Sequence, residues 1–154
     1  MLFVEETGLL SSRDSYSIEL DEQPHEEDLR YILDSIRTYN LKVSGHERPR
    51  PVACFLRDEE GQIIGGVQGD LWGSSMHIAA LWVAETERGK GYGSALMTSL
   101  ENFAASKGHL LSYVETTSFQ ALPFYEGLDY QIFGTLPGIA EHCTLFFLRK
   151  DLRL

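Results

Sequence analysis

Arg88, Gly89, Lys90, Gly91, Tyr92, Gly93 and Ser94 make up the segment of this chain best equipped to do chemistry. Three glycines alternate with larger residues between an apolar run ending at Val83 and a stretch of helical period, which makes a glycine-rich turn feeding a helix. Glycine lets backbone N–H groups approach an anion closely, and the start of the helix adds the positive end of its dipole. Phosphate or pyrophosphate is the ligand chemistry implied, with Arg88 and Lys90 adding charge at the mouth of the turn. Two other phosphate-binding patterns fit worse. A P-loop requires Lys followed by Ser or Thr after its second glycine, whereas Ser94 and Ala95 follow Gly93. The dinucleotide pattern G-x-G-x-x-G meets Ser94 or Leu96 where its third glycine belongs, and a meander precedes it instead of a βαβ unit.

The elements that must position this turn can be read from period and punctuation. Tyr16, Ile18 and Leu20 alternate with polar residues and predict a first strand. Pro24 and the acidic run Glu26, Glu27, Asp28 suit the start of a helix, whose apolar stripe is Leu29, Ile32, Leu33 and Ile36. A loop is expected over 45–51, then strands over 52–58 and 63–72 joined by a turn at 59–61, with Gly65 and Gly66 expected to mark a bulge. A turn at 73–75 leads to a strand over 76–83. Leu96, Leu100, Phe103 and Ala104 share one helical face, and Gly108 closes that helix. A strand over 110–115, a short helix ending near Leu128, and strands over 130–133 and 144–148 complete a mixed α/β sheet.

Composition bounds the rest. A chain of 154 residues with 43% hydrophobic and 23% charged residues is one globular domain, expected over 15–154 after a loosely ordered leader at 1–14. The longest apolar run, 78–84, is too short for a bilayer, and the N-terminal residues lack the pattern of a secretory signal, so a cytoplasmic protein is expected. A net charge of −10 argues against nucleic acid as partner, since that binding needs phosphate-neutralising basic surface. Cys54 and Cys143 read as small apolar strand residues. Neither they nor His25, His46, His109 and His142 have metal-ligand spacing, so no metal is expected.

The segment from Arg88 to Gly93 resembles the coenzyme A loop of the GNAT superfamily, R/Q-x-x-G-x-G/A, and the order of elements from about Tyr16 to Lys150 is similar to that family's. The resemblance implies an acyl-CoA N-acyltransferase fold: α/β, with a mostly antiparallel sheet of six to seven strands flanked by helices. It implies acetyl-CoA as co-substrate, its pyrophosphate held by residues 88–94 and its pantetheine arm running beside Leu81, Trp82 and Val83. The Val83 N–H would face the thioester oxygen, where negative charge develops.

A second family segment sets a small polar residue seven positions before a tyrosine that protonates the departing thiolate. Ser118 and Tyr125 match it in spacing, although Asn is usual at the first position and Asp129-Tyr130 replaces a Gly-Phe pair. By the same resemblance His77, eleven residues before Arg88, stands where some members carry a glutamate base. A satisfied structural histidine is the other reading, and Glu85 is a second candidate. The implied activity is direct acetyl transfer to a primary amine in a ternary complex. A non-catalytic acyl-CoA-binding module and a nucleotide-binding domain are the alternatives. The acceptor, a small molecule or a peptide, is not legible, and a homodimer through the late strands would be in keeping with the family.

Overall fold

The computed structural model describes residues 16–45 and 47–152. The expected leader lies outside them. The chain divides into two compact units, Met1–Thr38 and Tyr39–Leu154. In the first, residues 16–20 adopt no regular structure, which corrects the strand predicted from Tyr16, Ile18 and Leu20. Alternation marks a segment able to lie half-buried in a sheet, but only a ladder partner makes it a strand. Helix α1 (Glu26–Ser44) begins where predicted, its first turn carrying Glu26, Glu27 and Asp28 against the positive end of the helix.

The second unit is built on a six-stranded sheet: β1 (Arg50–Arg57), β2 (Ile63–Trp72), β3 (Ser75–Val83), β4 (Leu111–Thr117), β5 (Gln131–Ala140) and β6 (Cys143–Asp151), in the order β1-β2-β3-β4-β6-β5. All neighbours are antiparallel except β3 and β4, which are parallel. A parallel pair needs a crossover, and helix α2 (Tyr92–Ser106) supplies it. A short helix α3 (Leu122–Glu126) joins β4 to β5. The expected architecture is therefore present, with six strands. The strand expected over 130–133 runs on, as β5, to Ala140. Nearly all of β5 is exposed, so it lacks the one-face hydrophobic alternation that betrays a strand.

Leu96, Met97, Leu100 and Ala104 of α2 pack on Val67, Leu71, Met76, Ile78, Val114 and Leu148 of the sheet, and this is the core. Burying each large side chain contributes about 1.5–3 kcal/mol. One polar network crosses it: Tyr130 Oη donates to Glu101 Oε1 at 2.9 Å, Lys150 Nζ donates to Glu101 Oε2 at 2.6 Å, and Ser112 Oγ lies 2.7 Å from Tyr130 Oη. It joins α2, β4, β6 and the start of the β5 segment, and it satisfies a carboxylate that would otherwise be costly to bury.

The sheet is irregular where it matters. Gln68 faces Ala80 but Gly69 faces Ile78, so Ala79 is an extra residue in β3. The bulge predicted at Gly65 and Gly66 falls one residue earlier: these pair in register with Val83 and Trp82, but the ladder to β1 shifts between Leu56 and Arg57 and leaves Ile64 as the extra residue. The glycine the bulge at Ala79 requires is Gly69, where a Cβ would lie 2.6 Å from the His77 carbonyl oxygen. Among the described residues no helix is long and apolar enough to cross a membrane.

Gly69→Ala is expected to destabilise the protein by about 2 kcal/mol, because the obstructing atom is backbone and cannot rotate away. Denaturant unfolding measures this, and a change below about 0.5 kcal/mol would show that the strands shift freely at this point.

Candidate active site

The bulge at Ala79 decides which side chains share a face. Met76 and Ile78 point into the core before it, and Leu81 and Val83 pack on the core after it. In a regular strand Leu81 and Val83 would share the face of His77; the extra residue reverses that.

The parallel ladder between β3 and β4 ends at the pair Ile78 and Val114. Beyond it β4 continues against β6 and β3 against β2, so the two strands diverge. Ala84 N–H donates to Ile64 O at 2.8 Å. By the alternation of an antiparallel ladder, the N–H groups of Leu81 and Val83 then turn away from β2, toward the side β4 has left.

Two cavities occupy this opening. One, of about 420 Å³, is lined by Leu81, Trp82 and Val83 and by Arg88, Gly89, Gly91, Tyr92, Gly93 and Ser94. Gly89 and Gly91 hold φ of 75° and 84°, a region side chains avoid, and a Cβ on either would meet only open space, so backbone conformation is what requires glycine there. Gly91 is also the N-cap of α2 and makes no side-chain cap, leaving the first amides of the helix without that partner. Gly93 has a different reason: a Cβ would lie 3.3 Å from the Phe124 ring, so the third glycine lets α3 approach the start of α2.

The two cations of the turn have local partners. Arg88 Nε donates to Val83 O at 3.0 Å and pins the turn to the end of β3, and Lys90 Nζ bonds Glu87 Oε2 at 3.0 Å. Glu87 lines the first cavity; Lys90 and Glu85 line neither.

The second cavity, of about 380 Å³, lies in the fork itself, between residues 78–81 of β3 and Val114, Glu115 and Thr116 of β4, and Tyr125 closes it. Leu81 and Ala121 belong to both cavities, which makes them adjoining parts of one cleft. Pro123 stands in the first turn of α3, where its missing N–H breaks no helical bond. Tyr125 packs edge-on against Phe124 and Tyr130, and its carbonyl accepts the Tyr130 N–H at 3.1 Å. Asp129 takes up φ of 67°, the conformation a glycine would adopt more easily. Ser118 lines neither cavity: its N–H donates to Thr144 O and its hydroxyl accepts the Thr144 N–H, tying the end of β4 to β6.

His77 lies before the fork and lines neither cavity. Its Nε2 is 2.6 Å from Glu115 Oε2, and its ring stacks on Tyr113 at 4.8 Å. Glu115 and Tyr113 are the residues sequence reasoning passed over. The signal was available: the alternation from Ser112 to Thr116 sets Tyr113 and Glu115 on the face opposite Val114, and a carboxylate in a central strand has no packing reason to be there. Among the described residues no group of three or more His, Cys, Asp or Glu side chains could hold a metal ion.

A family model described as Acetyltransferase (GNAT) family matches residues 12–130. Blasticidin-S acetyltransferase of Streptomyces morookaense is 35% identical over 107 residues, covering 68% of this chain and 79% of that protein. A crystal structure of an acetyltransferase from Bacillus cereus superposes with a TM-score of 0.75 at 30% identity, covering 86% of this chain and 97% of the other. An aminoglycoside 6'-N-acetyltransferase solved with coenzyme A shares the fold, with a TM-score of 0.61 at 20% identity over 82% of this chain and 87% of that one.

Burial raises the phenol pKa of Tyr125 and Tyr130, and of Tyr113 with help from Glu115 and then Asp70. A group whose pKa is raised by folding contributes stability that is complete below its unfolded value, about 10, and is lost as pH climbs through the folded value. Stability is therefore expected to fall as pH rises above about 10, most visibly in urea midpoints taken between about pH 8 and 11. Ultraviolet titration should show some of the seven tyrosines ionising late. A single phenolate transition near 10 for all of them would contradict the burial argument.

Proposed function

This chain belongs to the GNAT acetyltransferase family, and on that premise we propose that it moves an acetyl group from acetyl-CoA to a primary amine by direct transfer in a ternary complex. The observation that carries the reading is the fork between β3 and β4, whose two adjoining cavities run from an uncapped helix start to a buried tyrosine. A phosphate-bearing thiol ester fits this arrangement. The first amides of α2 and the glycine turn receive the pyrophosphate, and the N–H groups of Leu81 and Val83, turned away from β2, bond the pantetheine arm. Because Arg88 and Lys90 are engaged locally, the backbone is the principal anion cradle and the cations add field.

Acetyl-CoA, when bound, supplies an activated acyl group. The chain supplies position and protons. Of the two β3 donors, the Leu81 N–H, on the cavity shared with Tyr125, is the one set where carbonyl oxygen gains charge, rather than that of Val83, which lines only the cavity of the glycine turn and serves the arm. Tyr125, which the buried setting keeps protonated, donates to the leaving sulfur. The acceptor arrives as an ammonium ion and must lose a proton before it attacks, and His77 together with Glu115 is the group placed to take it. The likeness to a blasticidin-S acetyltransferase and to an aminoglycoside acetyltransferase favours a small amine-bearing molecule over a peptide as acceptor.

The test is thiol release from acetyl-CoA with blasticidin S, kanamycin, spermidine and a lysine peptide, alongside calorimetry with coenzyme A. Tyr125→Phe is expected to lower kcat by roughly 100-fold and to leave coenzyme A affinity nearly unchanged. Unchanged kcat would remove the acid role from Tyr125. Binding of coenzyme A without turnover on any amine would favour a sensor of the same fold.

A further inference from the structure

The acetyl-transfer reading leaves open which member of the His77–Glu115 pair meets the acceptor, and the cleft geometry bears on the order. Glu115 lies one residue beyond the last β3–β4 pair, on the wall of the fork; His77 lies one residue before that pair, outside the cavity. Tyr113 stacks on the imidazole, Asp70 of β2 faces His77 in register, and Arg149 of β6 faces Tyr113 in register but bonds Asp151. The path from the cavity thus reaches the Glu115 carboxylate first and the His77 ring second.

An ionised carboxylate only accepts hydrogen bonds, so the 2.6 Å contact requires a proton on His77 Nε2. Stacking on Tyr113 and this bond together hold the ring in place. A histidine so tied fixes one oxygen of the carboxylate and leaves the other available.

We propose that Glu115 is the catalytic base that receives the acceptor ammonium, and that His77 is its positioning residue. One ammonium N–H bond breaks and an O–H bond forms on the free oxygen of Glu115. The electron pair left on nitrogen attacks the thioester carbon; the adduct nitrogen loses its second proton to water as the C–S pair leaves on sulfur, and Tyr125 gives that sulfur its proton. Glu115 then releases its proton to water, and water reprotonates Tyr125. A negative group on the fork wall selects acceptors that arrive as cations.

This proposal rests on the acetyl-transfer reading, and the experiment separates the two. Thiol release from acetyl-CoA is followed with each amine of the panel and with water alone as acceptor. Glu115→Gln keeps an oxygen to accept from His77 but cannot take the proton, and is expected to lower kcat roughly 100-fold with a smaller change in KM for acetyl-CoA. His77→Gln keeps a donor to Glu115 and is expected to lose no more than about 10-fold. Asp70→Asn, which removes a nearby charge outside the cavity, is expected to stay within about threefold of the parent.

Independently of turnover, long-range ¹H–¹⁵N spectra of histidine-labelled protein should show His77 as the Nε2–H tautomer. That tautomer should persist in Glu115→Gln and give way to a mixture in Glu115→Ala. The proposal is overturned if His77→Gln costs as much as Glu115→Gln, since His77 is then the base, or if the tautomer is the same mixture with and without the carboxylate. Absence of thiol release from the parent chain with every acceptor overturns the transfer reading and this base with it. An intact tautomer signature would then show that the pair is structural.

Discussion

The structure turns on a ladder that stops. β3 and β4 pair in parallel through Ile78 and Val114 and then part, leaving N–H groups of Leu81 and Val83 directed at a gap that no strand among the described residues fills. Backbone donors inside a sheet are expensive to leave unpaired, so a cleft of this kind is a standing request for an extended ligand with acceptors along its length. The bulge at Ala79 makes the divergence possible. It returns the side chains of Leu81 and Val83 to the core while their backbone serves the cleft, and Gly69 makes room for it on the neighbouring strand.

Charge is distributed with a similar division of labour. The chain carries a net −10, a poor overall field for a polyanionic ligand. The local answer is a helix start without a cap, preceded by glycines in the left-handed region, with Arg88 spent on holding the turn to β3. At the other end of the cleft Glu115 lines the cavity that, on the proposed reading, takes a cationic acceptor, and burial raises the pKa of the Tyr125 phenol beside it. A buried network from Ser112 through Tyr130 and Glu101 to Lys150 holds the strands and α2 that carry these groups.

Much of this was legible in the sequence, for identifiable reasons. The glycine turn, the amphipathic face of α2 and the meander before them are local patterns, and the helices and strands they announce are present. Tyr125 was singled out by its likeness to a family segment, and the structure sets it on the fork cavity. What escaped was set by partners distant in the chain. The bulge at Ala79 exists only because of a register between β2 and β3, and Gly69 looks no different in sequence from Gly65 or Gly66. The alternation of Tyr16, Ile18 and Leu20 suggested a strand that does not form, while β5, mostly exposed, formed without one. Glu115 could be noticed as a carboxylate in a central strand, but its partner His77 lies 38 positions earlier.

The central claim is that the opening between β3 and β4, together with the uncapped start of α2, is the seat of coenzyme A. Backbone amide spectra recorded during titration with coenzyme A test it most directly. The account requires the largest shifts at Leu81, Val83 and residues 91–94, saturating together with one affinity. Shifts confined to other parts of the sheet, or none at concentrations that saturate related enzymes, would contradict it.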